Sequence, residues 1–404
     1  MTWLSQLIFG NFWTTVALAG ALGEWTLACW LGGAPGSWIA HLAALVGITL
    51  VNRVAAEAFD RERHSAPALH VAGGVVLAGG VVAAAGAGAL GLVAGVWLIA
   101  GAALGALPAQ AGALDAQTGT YFGPLFAPLA GVAVTMGMAI AAWGYTRGHR
   151  RLRTTRLDVP MPGLPAAVEG LRIVHISDLH LGPTAHREAL REAIERVNAI
   201  DPDVVCVSGD LIDSPTTDLS HWTPELARLR ARHGVYAVLG NHDRYAGSDR
   251  VAGALRTHTG WRLLRDEVVR VDVRGASLHL IGLEDRPGPQ SARMLPRLHA
   301  QVPDGEPCVV LVHQPAAFAT AAALGVPLTL AGHTHGGQVA IPGLPAVNPA
   351  RLLMTHLDAG TFTSGASVLH VNRGLGTSGQ RVRIAVPREI TIVTLAAGEA
   401  AAAA

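Results

Sequence analysis

Five short clusters along the chain carry side chains that bind metal ions or move protons: Asp178-Leu179-His180, Gly209-Asp210, Gly240-Asn241-His242-Asp243, His313-Gln314-Pro315 and Gly332-His333-Thr334-His335-Gly336-Gly337-Gln338. Imidazole, carboxylate and amide oxygen together suit a first-row transition metal such as Mn, Fe or Zn. In an extended segment residues two apart share a side, so His333 and His335 present two imidazoles in one direction. The glycines around them let backbone and metal come close. Taken alone, a Gly-His-x-His cluster is equally well explained as a tight turn with two solvated histidines. The other four clusters decide between the readings.

Each cluster follows a short apolar, β-branched run, at 171–177, 204–208, 235–239, 308–312 and 326–331. Such runs, bounded by turn residues, read as buried strands. Further strands fit 268–273, 278–283, 368–371 and 390–395. Helical stretches lie between them: Leu190, Ile194 and Val197 share one face, and 224–232 and 291–298 are helical. Strands alternating with helices make an α/β layered domain, whose ligands gather beyond the carboxyl ends of the strands. One polar strand end is a cap or a turn. Five carrying metal-ligand types are not explained by capping.

Asp178-x-His180, Gly209-Asp210, Gly240-Asn241-His242-Asp243, His313 and Gly332-His333-x-His335 together resemble the motif set of the calcineurin-like metallophosphoesterases. The resemblance covers roughly 172–395 and implies a β-sandwich flanked by helices. Position by position it implies that Asp178, His180 and His335 hold a first metal, that Asn241, His313 and His333 hold a second, and that Asp210 bridges them. His242 would stand over the leaving group as a general acid, beside Asn241 at the substrate. The Gly-Gly-Gln extension and Asn372-Arg373-Gly374-Leu375-Gly376 resemble a bacterial membrane-associated subfamily, which includes enzymes cleaving a nucleotide-linked glycolipid. Arg373 is either a fork for a substrate phosphate or half of a buried pair with a carboxylate. The chemistry agrees with a dinuclear site: two divalent ions about 3.5–4 Å apart clamp the phosphoryl oxygens and turn a bridging water into hydroxide. Acid assistance from His242 is worth about 10²–10⁴-fold. His175, His279 and His370 lie inside strands and read as core or surface residues.

The composition is lopsided. Half of the 404 residues are hydrophobic and only 15% are charged, against about 25% in a soluble domain. Residues 1–146 hold most of that excess and read as an α-helical transmembrane bundle, with spans at 12–31, 38–51, 69–107 and 122–145. Arg53, Arg61 and Arg63, and then Arg147, Arg150, Arg151, Arg153 and Arg156, fall on one side if there are four spans. By the positive-inside rule that side is the cytoplasm, and the catalytic half follows. Residues 147–170, with Pro160, Pro162 and Pro165, read as an Arg/Pro-rich linker, 171–396 as the catalytic domain and 397–404 as a disordered Ala-rich tail.

A net charge of +1 offers no basic stripe, so no nucleic-acid partner is expected. The sequence thus predicts a multi-pass cell-membrane enzyme with two divalent ions (Mn, Fe or Zn), hydrolysing a phosphodiester or phosphomonoester. A lipid or nucleotide-linked glycolipid is the candidate substrate. The alternatives are a non-catalytic membrane sensor of phosphoryl ligands and a protein phosphatase. Oligomeric state is left open.

Overall fold

The apolar runs become strands of two six-stranded sheets. The computed structural model describes residues 139–398, apart from 141, 183, 184, 186 and 380. The chain divides into two units, Met1–Thr146 and Arg147–Ala404, and both sheets belong to the second. The expected spans at 12–31, 38–51 and 69–107, and most of 122–145, lie outside the described residues, as does the tail from 399. Among the described residues no helix is long and apolar enough to cross a membrane.

The strands are β1 (Leu152–Met161), β2 (Arg172–Ile176), β3 (Val204–Ser208), β4 (Val235–Val238), β5 (Arg262–Leu263), β6 (Glu267–Val273), β7 (Ala276–Gly282), β8 (Cys308–Leu311), β9 (Leu328–Ala331), β10 (Gly360–Ser364), β11 (Ser367–Val371) and β12 (Arg388–Ala397). One sheet runs β1-β12-β2-β3-β4-β5 and the other β10-β11-β9-β8-β7-β6. The helices include α1 (Arg187–Ile200), α2 (Thr223–Leu226), α3 (Asn241–Tyr245), α4 (Ser248–His258), α5 (Leu295–His299), α6 (Phe318–Ala323) and α7 (Pro349–Leu353).

At the centre of each sheet both faces are buried, which is why the central strands read as unbroken apolar runs. Side chains alternate between two cores. Ile173 faces the space between the sheets with Val204, Leu280, Val309 and Leu330. Val174 and Ile176 face outward against Leu190, Ile194 and Val197 of α1. Across the other sheet, Val310, Ala331 and Leu369 pack on Leu295, Leu298 and Phe318 of α5 and α6. Two sheets enclosing one core, each covered by helices, make the α/β layered architecture expected from the sequence.

The linker reading of 147–170 needs correction. Residues 152–161 form β1, which pairs in parallel with β12 from Leu152↔Arg388 to Met161↔Ala397. Pro160 is tolerated because β1 is an edge strand, where a missing N–H breaks no ladder. Two expected helices are also shorter than their periodicity suggests: 224–232 yields only α2, and 291–298 yields a 3₁₀ turn followed by α5.

A polar seam closes the inter-sheet core at the carboxyl end of β2. His175 bonds to Ser208 Oγ at 2.8 Å, and His370 to Thr391 Oγ1 at 2.8 Å. The two rings meet edge to face, 5.9 Å apart. Asn372 donates to Thr391 Oγ1 (3.1 Å) and accepts from Ser177 Oγ (3.1 Å) and Gly374 N (2.8 Å). Burial pushes the proton affinity of both imidazoles down, His370 to about 4. Both are therefore neutral hydrogen-bonding core residues, as read from the sequence. His279, also buried, sits against Glu306.

Candidate metal centre

The five clusters converge at one end of the sandwich. After β2 the chain runs beside the segment that leaves β3: Asp178 N donates to Gly209 O (2.9 Å) and His180 N to Asp210 O (3.0 Å). This main-chain zipper sets Asp178 and His180 next to Asp210. Gly332 must be a glycine, since a Cβ at that position would collide with the Asp178 carboxylate. A Cβ on Gly240 would likewise strike Asp210. Asp178, His180, Asp210, His333 and His335 all sit at positive φ, between 42° and 75°. Non-glycine residues are uncommon there, and such strain clusters at functional sites.

Two groups of ligand atoms result. Asp178, His180 and His335 form one; Asp210, His313 and His333 form the other; within each, the atoms lie within 4.8 Å of one another. In the first, His180 Nε2 is 2.9 Å from His335 Nε2, which is 3.5 Å from Asp178 Oδ1. In the second, His313 Nε2 is 3.2 Å from both His333 Nδ1 and Asp210 Oδ2, and 3.0 Å from Asn241 Oδ1. Asp210 Oδ2 is also 3.7 Å from His180 Nε2, so its carboxylate stands between the groups. His242 N donates to Asp210 Oδ1 (2.8 Å), and a ring nitrogen of His242 is within 4.8 Å of ligand atoms of His180 and Asp210.

These residues fit a pair of divalent cations. Pairs of ring nitrogens meet head to head at 2.9 and 3.2 Å around two buried carboxylates. Burial and neighbouring imidazoles hold His335 well below its ordinary proton affinity and bring His333 to about 3, which leaves lone pairs free for a metal. Burial opposes a charge on His313, but the Asp210 carboxylate outweighs it and raises that ring to about 10. For Asp178, burial is the largest influence and raises the carboxyl, with repulsion from Asp210 in the same direction. A site that draws positive charge to its centre while keeping other imidazoles neutral suits cations better than protons. Nitrogen with hard oxygen donors matches Mn, Fe or Zn alike.

Three residues support the site, of which Asp213 and Arg383 escaped the sequence reading, while Asp243 was expected to orient its loop. Asp213, on the segment after Asp210, places Oδ1 3.3 Å from His180 Nδ1, and its carbonyl bonds His242 Nδ1 at 2.7 Å. Its spacing, three residues after Asp210, was the available signal. Asp243 accepts from Gly240 N (2.9 Å), Leu211 N (2.9 Å) and Ile212 N (3.1 Å), tying the β3 and β4 loops together. Arg383 is only 1% exposed. It donates to the carbonyls of Arg373 (2.8 Å), Gly376 (2.6 Å) and Val386 (3.3 Å), and its Nη2 lies 3.4 Å from His335 Nδ1. The loop it braces bonds back through Gly376 N to Asp178 O (2.6 Å). Of the two readings of Arg373, the geometry has the carboxylate pair: Nη1 lies 2.9 Å from both oxygens of Glu389.

A family model described as Calcineurin-like phosphoesterase matches residues 171–337. The chain is 31% identical over 278 residues to the uncharacterized metallophosphoesterase YkuE of Bacillus subtilis, covering 67% of this chain and 94% of that one. An uncharacterized metallophosphoesterase of Campylobacter jejuni is 32% identical over 243 residues, with 59% of this chain and 62% of that one covered. A zebrafish protein named Transmembrane protein with metallophosphoesterase domain is 30% identical over 280 residues, with 65% and 62% covered. The chain thus spans about three-fifths of the length of the last two.

Proposed function

From the premise that this chain belongs to the calcineurin-like phosphoesterase family and is a metal-dependent hydrolase of phosphoester bonds, we propose that it acts at a membrane surface on the phosphoester of a lipid or a nucleotide-linked glycolipid. In this reading Asp178, His180 and His335 hold one metal, Asn241, His313 and His333 the other, and Asp210 is shared. The observation that carries it is the Asp210 carboxylate standing between the two ligand groups, 3.7 Å from His180 and 3.2 Å from His313. Two divalent ions held there would neutralise the phosphoryl oxygens and supply an activated water.

The chain's own residues then divide the remaining work. His242 donates a hydrogen bond from Nδ1–H to the Asp213 carbonyl and takes a fixed ring orientation from that bond. With the ring in its imidazolium form, Nε2–H would be free to give its proton to the departing oxygen, leaving neutral imidazole with the Nδ1–H bond intact, and Asn241 lies beside it for the phosphoryl group. The Glu389 pair keeps Arg373 on the supporting loop rather than on substrate.

Two features support a bilayer substrate. The first 146 residues have the composition of membrane spans, as in the bacterial membrane-associated subfamily that the Gly336-Gly337-Gln338 and Asn372–Gly376 motifs resemble. The segment that follows His335 also leaves Ile341, Leu344, Val347, Leu352 and Met354 exposed, a concentration of apolar surface that marks interaction sites. The arginine distribution favours a cytoplasmic catalytic domain over an exported one, and protease accessibility in intact cells would test the side.

The decisive measurement is phosphoester release by the full chain in membranes, against matched lipid and soluble substrates, with Asp210→Asn as baseline. Metal-dependent turnover of a lipid phosphoester is expected. Turnover of soluble esters with none of the lipids would overturn the substrate reading while leaving the hydrolase intact.

A further inference from the structure

A second feature of the catalytic unit has the chemistry of a binding site and borders the metal centre through His180. A cavity of about 50 Å³ has apolar walls from Leu179, Leu181, Leu190 and Leu375 and is also lined by Arg381 and Arg388. Arg388 is almost wholly buried. It donates from Nη1 to Ala189 O (3.1 Å), and from Nη2 to Arg150 O (2.8 Å) and Glu192 (2.8 Å). Its Nε is buried with no hydrogen-bond partner among the described residues. An unsatisfied buried donor costs about 1–3 kcal/mol, more when charged, so it is seldom retained without a use.

Among the described residues, guanidinium groups outnumber the carboxylates that pair with them on the Arg381 and Arg388 side of the cavity. Arg381 Nη2 donates to the ring nitrogen His149 Nε2 (3.0 Å). Burial, and then the Arg150 guanidinium, hold the proton affinity of Arg381 below normal. Burial does the same to Arg388, with Arg196 adding repulsion. Against these guanidinium groups stands Glu192, about half exposed, which pairs with Arg388 and Arg196. Guanidinium forks match the oxygens of phosphate. A cavity this size takes about three waters, or one tetrahedral oxyanion.

We infer that this cavity is an oxyanion site for a phosphate group, distinct from the metal-binding positions but sharing His180 with the wall of the metal centre. The ligand is a phosphate carried on a lipid headgroup or free in solution, and the four leucines favour an amphiphile. The inference stands on the cavity and not on the substrate reading. Its placement gives it consequence, because Leu179, His180 and Gly376 belong both to the cavity wall and to the frame of the metal centre.

Calorimetry on the full chain in detergent tests it, with inorganic phosphate in one arm and short-chain phosphatidic acid in the other. The Asp210→Asn background, with metal chelated, removes phosphate binding at the metal centre. One site is expected there, weakened at least about tenfold by Arg381→Glu and less by Arg381→Gln, with thermal melting as the check on folding. In the metal-loaded wild type, two phosphate sites should fall to one with Arg381→Glu. Binding of free phosphate would mean that the anion suffices, and binding of phosphatidic acid alone would make the headgroup the ligand. Binding of neither, or equal affinity in Arg381→Glu and its parent, would overturn the site. Loss of hydrolysis in Asp210→Asn with cavity binding retained separates this inference from the catalytic reading.

Discussion

The two halves of the metal centre are supported in different ways. In the half built on Asp178, the imidazoles lean on charged side chains: His180 Nδ1 faces Asp213 Oδ1 at 3.3 Å, and His335 Nδ1 faces Arg383 at 3.4 Å. In the other half, His313 Nδ1 donates to the carbonyl of Ser208 at 2.8 Å. A carboxylate or guanidinium changes the basicity of the imidazole that it touches and can be lost by one substitution. A main-chain carbonyl survives any change of its own side chain. The first half is therefore the tunable one, and the second is fixed by the fold.

The largest effect should come where the halves meet. Asp210→Asn is expected to abolish hydrolysis and release both metals, a loss of more than about 100-fold, beyond what supporting residues cause. Metal content by mass spectrometry, together with turnover of an aryl phosphodiester, reads it. Next in size, His335→Ala should weaken the first metal and His333→Ala the second. Equal loss of both ions from either variant would collapse the two-half description.

Asp213→Asn sharpens the contrast. Metal affinity in the first half should drop about 10–100-fold while the second half keeps its ion, and Ser208→Ala should leave both. If Ser208→Ala loosened the His313 side as much as Asp213→Asn loosens the His180 side, the main chain would not be what holds the second half.

The smallest effect is shared by both halves, since His175 and His370 lie in the seam beneath them. An unfolded histidine takes a proton near pH 6.5, while folded His370 resists until about 4. Between those values the unfolded state binds more protons, so stability falls as pH falls, by at most about 3 kcal/mol for this group. Hydrogen exchange of β2 and β11 amides at pH 7 and pH 5 measures it. Unchanged opening energies would mean that the seam carries a proton in the fold.

Much of this was readable from the chain. Strand ends bearing Asp, His and Asn were visible because buried parallel strands are short, apolar and abruptly terminated. Long-range partnerships were not. β1 carries Arg153, Thr154, Thr155 and Arg156, contains Pro160 and leaves much of its surface open, so only its pairing with β12, more than 200 residues away, makes it a strand. Nor does any local pattern distinguish Arg383, which is buried, from Arg381 two residues earlier. Burial of a charged residue depends on which carbonyls the fold brings around it. Asp213 had a local signal in its spacing from Asp210, but a role that exists only through His180 and His242.

The pairing of β1 with β12 also fixes where this enzyme can be cut. A soluble fragment begun at residue 171, where the family match starts, would lack β1 and leave the ten-residue β12 without its outer neighbour. An uncovered strand of that length invites another chain to add to it. A fragment that keeps Leu152 retains the natural border of the sheet, so it is the form to express for a monomeric catalytic domain.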